Sequence, residues 1–200
     1  MVIVAVISLI LGVVCGQFVF TQEAVDFCSV LADGTLYVLM FAVGISVGLN
    51  KQVFRKLREY HLKILIIPIG IVAGTIAGGF LGSWICGMPF KEGVPVACGL
   101  GWYSLSGVLL SDLAGAGVGT LAFLSNLLRE IFSFLSIPFV AKHFNHYSAI
   151  APAAATSEDT TLPMLMKYTS EEVVLMAVFN GVLCSALVPV LIRFFFEILP

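Results

Sequence analysis

The run from Gly119 to Val140 constrains the fold more than any other stretch. It is apolar at almost every position, through Leu121, Ala122, Phe123, Leu124, Leu127, Leu128, Ile131, Phe132, Phe134, Leu135 and Ile137. As one helix rising about 1.5 Å per residue it covers roughly 33 Å, enough to cross a bilayer core. Arg129 and Glu130 fall at its centre, where an ionised side chain costs at least about 2.5–3.5 kcal/mol on insertion scales. Nothing in a purely structural helix requires that expense. A 3.6-residue period puts Asn126, Arg129, Glu130 and Ser133 on one face, and Ser136 continues it. Arg129 and Glu130 point about 100° apart, so they need not neutralise each other. Two readings compete at this point: an internal helix–helix ion pair that fixes packing, and a charged transport site.

The composition agrees with a membrane chain. Of 200 residues, 60% are hydrophobic and 11% charged, against about 25% charged in soluble domains. We therefore expect an all-α integral membrane protein, a single domain over residues 1–200. It should hold about five full transmembrane helices plus two discontinuous or re-entrant membrane segments. No basic stripe supports nucleic-acid binding. Cys15, Cys28, Cys86, Cys98 and Cys184 show no C-x-x-C spacing, and His61, His143 and His146 fall in loops. Neither a metal centre nor another cofactor is expected. Val2 to Val14 lacks a positive n-region and a small-x-small exit, so it reads as a retained first helix.

Segment one, about Val2 to Phe20, carries Gly12 and Gly16 at small-xxx-small spacing, and segment two, about Val30 to Leu49, repeats the device with Gly44 and Gly48. Asp33, near the start of segment two, reads as an interfacial carboxylate at a helix N-terminus. Lys51, Arg55, Lys56, Arg58 and Lys63 then cluster in one loop with Glu59 the only acid. The positive-inside rule puts that loop in the cytoplasm, with the amino terminus cytoplasmic and the carboxyl terminus outside. Segment three, about Ile64 to Cys86, has Gly70, Gly74, Gly78 and Gly82 at four-residue spacing, which predicts close packing of a neighbouring backbone. Trp84 suits an interface anchor.

Two later stretches are irregular. Val94 to Leu113 is rich in glycine and hydroxyls: Gly99, Gly101, Tyr103, Ser104, Ser106, Gly107 and Ser111. Ser148 to Met166 brackets small residues, Glu158, Asp159 and three threonines between Pro152 and Pro163. Both suit helices that break at depth, where freed backbone groups need protein or water partners. Re-entry of both would keep Lys142, His143 and Lys167 inside, which the positive-inside rule prefers over full crossing. The last segment, about Val173 to Phe196, is apolar with Pro189 inside it.

Two irregular membrane stretches flanking one charged helix form the pattern of a secondary transporter, in which discontinuous helices meet near the midplane at the solute. The lining expected here is Tyr103, Ser104 and Ser106 from the first stretch, Asn126, Arg129 and Glu130 from the helix, and Thr156, Asp159, Thr160 and Thr161 from the second. One arginine faces three carboxylates, Glu130, Glu158 and Asp159. Unpaired charge at depth is penalised, so carboxylates must be protonated, hydrated or paired with a bound cation. A solute carrying one carboxylate and two ammonium groups complements that set, with Arg129 forking its carboxylate and Glu130 and Asp159 binding its amines. An intramembrane hydrolase using Ser104 or Ser106 with Asp159 lacks a histidine or lysine base at depth, so no enzyme activity is expected.

Three motifs carry a resemblance: Gly101-Trp-Tyr-Ser-Leu-Ser-Gly-Val-Leu-Leu110, Phe123-Leu-Ser-Asn-Leu-Leu-Arg-Glu130 and Ala155-Thr-Ser-Glu-Asp-Thr-Thr-Leu-Pro163. In this order they resemble the lysine exporter family LysO, from about Leu36 to the last apolar segment. The resemblance implies an inner-membrane exporter of L-lysine and lysine-like cationic amino acids. Proton exchange through the midplane carboxylates is the expected coupling. It implies essential carboxylates at Glu130 and Asp159 beside the motif arginine, Arg129, and ranks Glu158 below Asp159. Full-length members carry further amino-terminal helices, and this chain begins where their second half begins. The corresponding expectation is a small membrane partner subunit or a homo-oligomer; the alternative is a membrane subunit of a split transporter for another amino acid or a cation.

Overall fold

A computed structural model describes residues 64–200 throughout, and before them residue 7 and scattered positions between 11 and 45. The basic cluster Lys51 to Lys63, Asp33, Gly44 and Gly48 lie outside the described residues. The chain divides into two compact units, Met1–Ala42 and Val43–Pro200. In the first, the described positions between 7 and 18 and between 23 and 41 are helical, separated by non-helical Val19 to Thr21.

The second unit holds the three sequence motifs, and each of its elements among the described residues is helical. In order they are α1 (Ile66–Cys86), α2 (Phe90–Ala97), α3 (Tyr103–Ala114), α4 (Ala116–His143), α5 (Ile150–Ala153), a 3-10 turn (Ala154–Glu158), α6 (Leu162–Tyr168) and α7 (Glu171–Ile198). Three of them, α1, α4 and α7, are long and apolar enough to cross a membrane. The protein is an all-α membrane protein, as its composition requires.

α4 shows why the membrane is its solvent. Leu121, Leu124, Leu128, Phe132, Leu135 and Phe139 form one exposed stripe at helical spacing, with Leu135 72% exposed. The opposite face buries Ala122, Asn126, Glu130, Ser133 and Ile137. A water-soluble helix has the reverse arrangement, apolar in and polar out. Polar groups turn inward here because hydrocarbon offers them no hydrogen-bond partner.

Short turns set the order of packing. Gly87 ends α1 in the left-handed region at φ 66°, and the Met88 N–H donates to the Ser83 carbonyl at 2.9 Å. The chain folds back, so that α2 lies against α1. A Cβ at Gly79 would fall 3.0 Å from the Ala97 Cβ and 3.3 Å from the Val94 Cα. Gly115, at φ 91°, alone separates α3 from α4. That pair then packs through small residues: a Cβ at Gly119 would lie 2.7 Å from the Ser111 Cβ, and one at Gly107 would lie 3.1 Å from the Phe123 Cβ.

The glycine stripe on α1 meets no described neighbour. Nothing lies within 4 Å of a Cβ built at Gly70, Gly74, Gly78 or Gly82. Among the described residues these glycines do not admit a neighbouring backbone; that task falls to Gly79, outside the four-residue repeat. Three of them instead form the smooth wall of a groove.

Both irregular stretches break as expected. The first interrupts helix between Ala97 and Tyr103, with Leu100 at φ 51° and Gly101 at φ 94°. The second interrupts it at the 3-10 turn, with Ala154 at φ 49°. A non-glycine residue held at positive φ costs about 1–3 kcal/mol and persists where its surroundings over-determine it. The surroundings here are the other break: the Ala155 N–H donates to the Leu100 carbonyl at 3.1 Å. The two interruptions therefore meet backbone to backbone.

Candidate functional site

Unwound backbone inside a membrane protein must find partners within the protein or in a wet cavity. Asn126 supplies them for the first break. Its Nδ2 donates to the Val96 carbonyl at 2.9 Å and to the Ala122 carbonyl at 2.9 Å, and its Oδ1 accepts from the Gly101 N–H at 2.8 Å. The side chain is 2% exposed. Gly99 leaves room for it, since a Cβ there would lie 2.7 Å from the Asn126 Cγ. Asn180, in the middle of α7, does the same for the second break. Its Nδ2 donates to the Ala154 carbonyl at 2.9 Å and lies 3.1 Å from the Ser157 hydroxyl. The Ser157 hydroxyl itself reaches the Ala154 carbonyl at 2.8 Å and the Ala177 carbonyl at 2.7 Å.

Several expected lining residues belong to this scaffold. The Thr156 hydroxyl donates to the Ala153 carbonyl at 2.9 Å, the Thr161 hydroxyl donates to the Thr156 carbonyl at 2.9 Å, and the two hydroxyls lie 3.2 Å apart. The buried Ser106 hydroxyl donates to the Tyr103 carbonyl at 3.3 Å. Their hydroxyls are occupied in holding backbone. Ser104 is exposed, and Tyr103 is half-buried with its ring edge-on to Phe123 at 5.2 Å between centroids.

Arg129 and Glu130 part company, as adjacent helical residues must. Arg129 turns towards α1, where its Nη1 donates to the Thr75 hydroxyl at 3.3 Å. Among the described residues no carboxylate pairs with it. The guanidinium borders a groove of about 460 Å³, whose far wall is Gly70, Gly74, Thr75 and Gly78 and whose near wall includes Ser125 and Asn126. That volume lies within the range of small-molecule sites, roughly 300–1,000 Å³.

Glu130 faces the other way and is 1% exposed. Neither carboxyl oxygen has a hydrogen-bond partner within 3.5 Å among the described residues, and a longer side-chain contact runs to the buried Thr160 hydroxyl. Thr160 lies close by, with Asp159 and Tyr103 also within electrostatic reach of the carboxyl. Asp159 is exposed, and its Oδ1 accepts from the Thr160 N–H. Glu158 is placed apart from these groups: its Oε1 accepts from the Ser185 hydroxyl at 2.8 Å. Its backbone packs so tightly on α7 that a Cβ at Gly181 would lie 2.6 Å from the Glu158 Cβ.

The expected set thus divides into a backbone clamp (Asn126, Thr156, Thr161 and Ser106), a groove headed by Arg129, a buried carboxyl at Glu130 near Thr160, and the exposed Asp159 and Ser104 with the half-buried Tyr103, none of which lines the groove. Sequence reasoning missed Thr75, Asn180, Ser185 and the groove glycines. Asn180 and Thr75 carried a usable signal, each being a hydrogen-bonding side chain inside an apolar segment. The groove carried none, because the spacing that lines it is the same spacing that packs helices.

Comparison with known proteins gives a consistent result. Residues 6–196 match the family described as "Lysine exporter LysO". The chain is 32% identical to the lysine exporter LysO of Escherichia coli over 176 residues, which are 88% of this chain and 57% of that protein. It is 31% identical to a putative lysine exporter of Haemophilus influenzae over 192 residues, 95% of this chain and 93% of that one. No solved structure is significantly similar. The chain spans little more than half the length of the Escherichia coli protein and nearly all of the Haemophilus influenzae protein. The chain belongs to the lysine exporter LysO family.

Proposed function

We propose that the protein is a secondary transporter of the cytoplasmic membrane that exports L-lysine or closely similar cationic amino acids in exchange for protons. The observation that carries this reading is the meeting of two broken helices beside a small-molecule-sized groove headed by an arginine. Discontinuous helices that meet at depth are how many secondary transporters build a midplane solute site. Arg129, held by Thr75, keeps guanidinium donors free to fork a carboxylate in the groove. The exposed Asp159 offers a carboxylate to an ammonium group. The names of the two relatives point to lysine as the solute.

The basic loop before α1 favours an orientation with the amino terminus in the cytoplasm and the carboxyl terminus outside. A second reading is a subunit that works with a separate short membrane protein or with a second copy of this chain. Copurification followed by intact-mass measurement separates these arrangements.

The test is uptake of labelled L-lysine into inverted vesicles under a proton gradient. Arg129→Leu and Asp159→Asn should each abolish it while leaving the purified protein monodisperse. Competition by ornithine, arginine and sodium defines the solute class. Unchanged lysine flux in both variants would exclude this site as the transport site.

A further inference from the structure

Resting on the reading above, we propose that the groove lies on the axis of an inverted repeat, and that Thr75 is the positioning residue that holds Arg129 on that axis. The repeating unit is a spanning helix, a broken hairpin and the spanning helix that follows: α1 to α4, and again α4 to α7. The step between the two copies is 54 residues. It carries Leu100, at φ 51°, onto Ala154, at φ 49°, and the clamp Asn126 onto the clamp Asn180. It carries the end of α3 at Ala114 onto the end of α6 at Tyr168. It also lays α4 (Ala116–His143) on α7 (Glu171–Ile198) to within one residue at each end.

Contacts fix the direction of each long helix, and with it the inversion. Asn126 bonds the Val96 carbonyl beside Ala97, which packs on Gly79, and three residues later Arg129 reaches Thr75. α4 therefore runs against α1. α3 runs against α4, since Gly107 meets Phe123 and Ser111 meets Gly119. α2 runs against α1, with Gly93 at Ser83 and Ala97 at Gly79. The first hairpin thus enters from the face where α1 ends and returns to it. α7 runs with α1, from Asn180 at the second break to Phe196, whose ring centroid lies 5.2 Å from the Lys91 Nζ at the start of α2. The stretch between α4 and α7 accordingly begins and ends on the opposite face. The two hairpins meet through Ala155 and Leu100. One full crossing and one hairpin per step leave the next copy facing the other way.

Residues related by a two-fold axis come together only where they lie beside it. Three such pairs line the groove: Ile71 with Ser125, Thr75 with Arg129, and Ala97 with Ala151, each 54 residues apart. The middle pair is in contact, with the Arg129 Nη1 donating to the Thr75 hydroxyl at 3.3 Å. Inverted repeats hold their solute at the interface between copies, and access alternates as one copy moves against the other. A guanidinium on the axis keeps its place through that exchange, whereas one away from it would be carried towards one face with its own copy. The Thr75 hydroxyl accepts one guanidinium N–H and leaves the others for a solute carboxylate. Because the frame is two-fold, a guanidinium supplied from position 75 instead of 129 would enter the same groove.

The experiment uses the full chain and has two arms. In the first, its five cysteines are replaced by alanine, and Met88→Cys, Gly117→Cys, His146→Cys and Ser170→Cys are introduced one at a time. A membrane-impermeant maleimide is applied to right-side-out and to inverted vesicles. The first two positions should react from one face and the last two from the other. Met88→Cys and Gly117→Cys reacting from opposite faces would end the inverted repeat, whatever the solute. The second arm measures lysine–lysine counterflow in proteoliposomes. Arg129→Thr should abolish it, and adding Thr75→Arg should restore at least about a tenth of the wild-type flux. Thr75→Val should raise the KM for lysine about tenfold, as expected for one lost hydrogen bond to a charged group, at an unchanged unfolding temperature. Thr75→Ser should restore the wild-type KM. A wild-type KM in Thr75→Val would show that Thr75 positions nothing, and this variant decides the point if the exchanged protein does not fold. A folded exchanged protein without flux would place the groove off the axis. A wild-type protein that labels as expected but shows no lysine counterflow would overturn the proposed function and leave the repeat standing.

Discussion

The two helix breaks solve one physical problem with the same device and differ in what they do with the space they create. Each is held by an asparagine from the middle of a long helix, Asn126 on α4 and Asn180 on α7, whose amide replaces missing helical hydrogen bonds. Each includes one non-glycine residue at positive φ, Leu100 or Ala154. Each depends on a glycine at the point of closest approach, Gly99 or Gly181. The first break bears no ionisable group between Cys98 and Trp102 apart from the buried Cys98 thiol. The second bears Glu158, Asp159 and Thr160 within three residues. The first is therefore scaffold, while the second sets the same backbone geometry under charged side chains. A break is a means of placing free backbone and side chains at depth, and only the second of these two bears carboxylates.

That comparison can be broken most severely at its glycines. Gly99→Val drives a side chain into the Asn126 amide and Gly181→Val drives one into the Glu158 backbone. Neither variant should yield folded, monodisperse protein, and size-exclusion chromatography in detergent reads this directly. A well-folded Gly99→Val would show that the first break is not clamped as described.

The asparagines should rank next, and unequally. Asn126→Leu removes three hydrogen bonds, leaving the Gly101 N–H without a partner and the Val96 carbonyl with only a long contact from the Gly99 N–H at 3.4 Å, at a cost of about 3 kcal/mol. Asn180→Leu leaves Ser157 still bonded to two carbonyls and should cost about 2 kcal/mol. Thermal unfolding in one detergent compares them, and an Asn180 variant less stable than the Asn126 variant reverses the order.

Gly74→Leu tests the groove rather than the clamp. Nothing lies within 4 Å of a Cβ at Gly74, so stability should hold while the side chain fills space opposite Arg129. Lysine transport should be lost with no change in unfolding temperature. A transporting Gly74→Leu protein places the solute elsewhere.

Glu158→Gln should have the smallest effect. Its amide oxygen can still accept from the Ser185 hydroxyl, so both transport and stability should stay close to wild type. Its companion Asp159→Asn should abolish transport. Equal loss in the two variants would merge residues that the structure separates.

Much of this was legible beforehand, for physical reasons that depend on single residues. Pro95, Gly99 and Gly101 cannot all sit quietly in an uninterrupted helix, and the run from Pro152 to Pro163 is too polar for one in hydrocarbon. The stretches that hold the breaks, Val94 to Leu113 and Ser148 to Met166, could therefore be named in advance. α4 was legible for the same reason, although it begins at Ala116 and ends at His143, beyond the apolar run that announced it. The site was legible as a set of residues and not as an arrangement. A helical period places Arg129 and Glu130 about 100° apart but cannot say what stands opposite each. It also cannot tell a hydroxyl that lines a site, such as Ser104, from one that holds backbone, such as Thr161.

By itself the sequence determined the solvent and the elements: apolar runs of membrane length, charges too costly to be ornamental, and two stretches that must break. Those are properties of the local chain, set by hydropathy and by glycine and proline backbone preferences. Only the tertiary structure decided that the breaks meet at Leu100 and Ala155, that three glycines of the α1 stripe line a groove, and that Arg129 borders this groove while Glu130 does not. Those outcomes depend on which backbone comes close to which, over separations of 50 residues and more, and no local propensity encodes that.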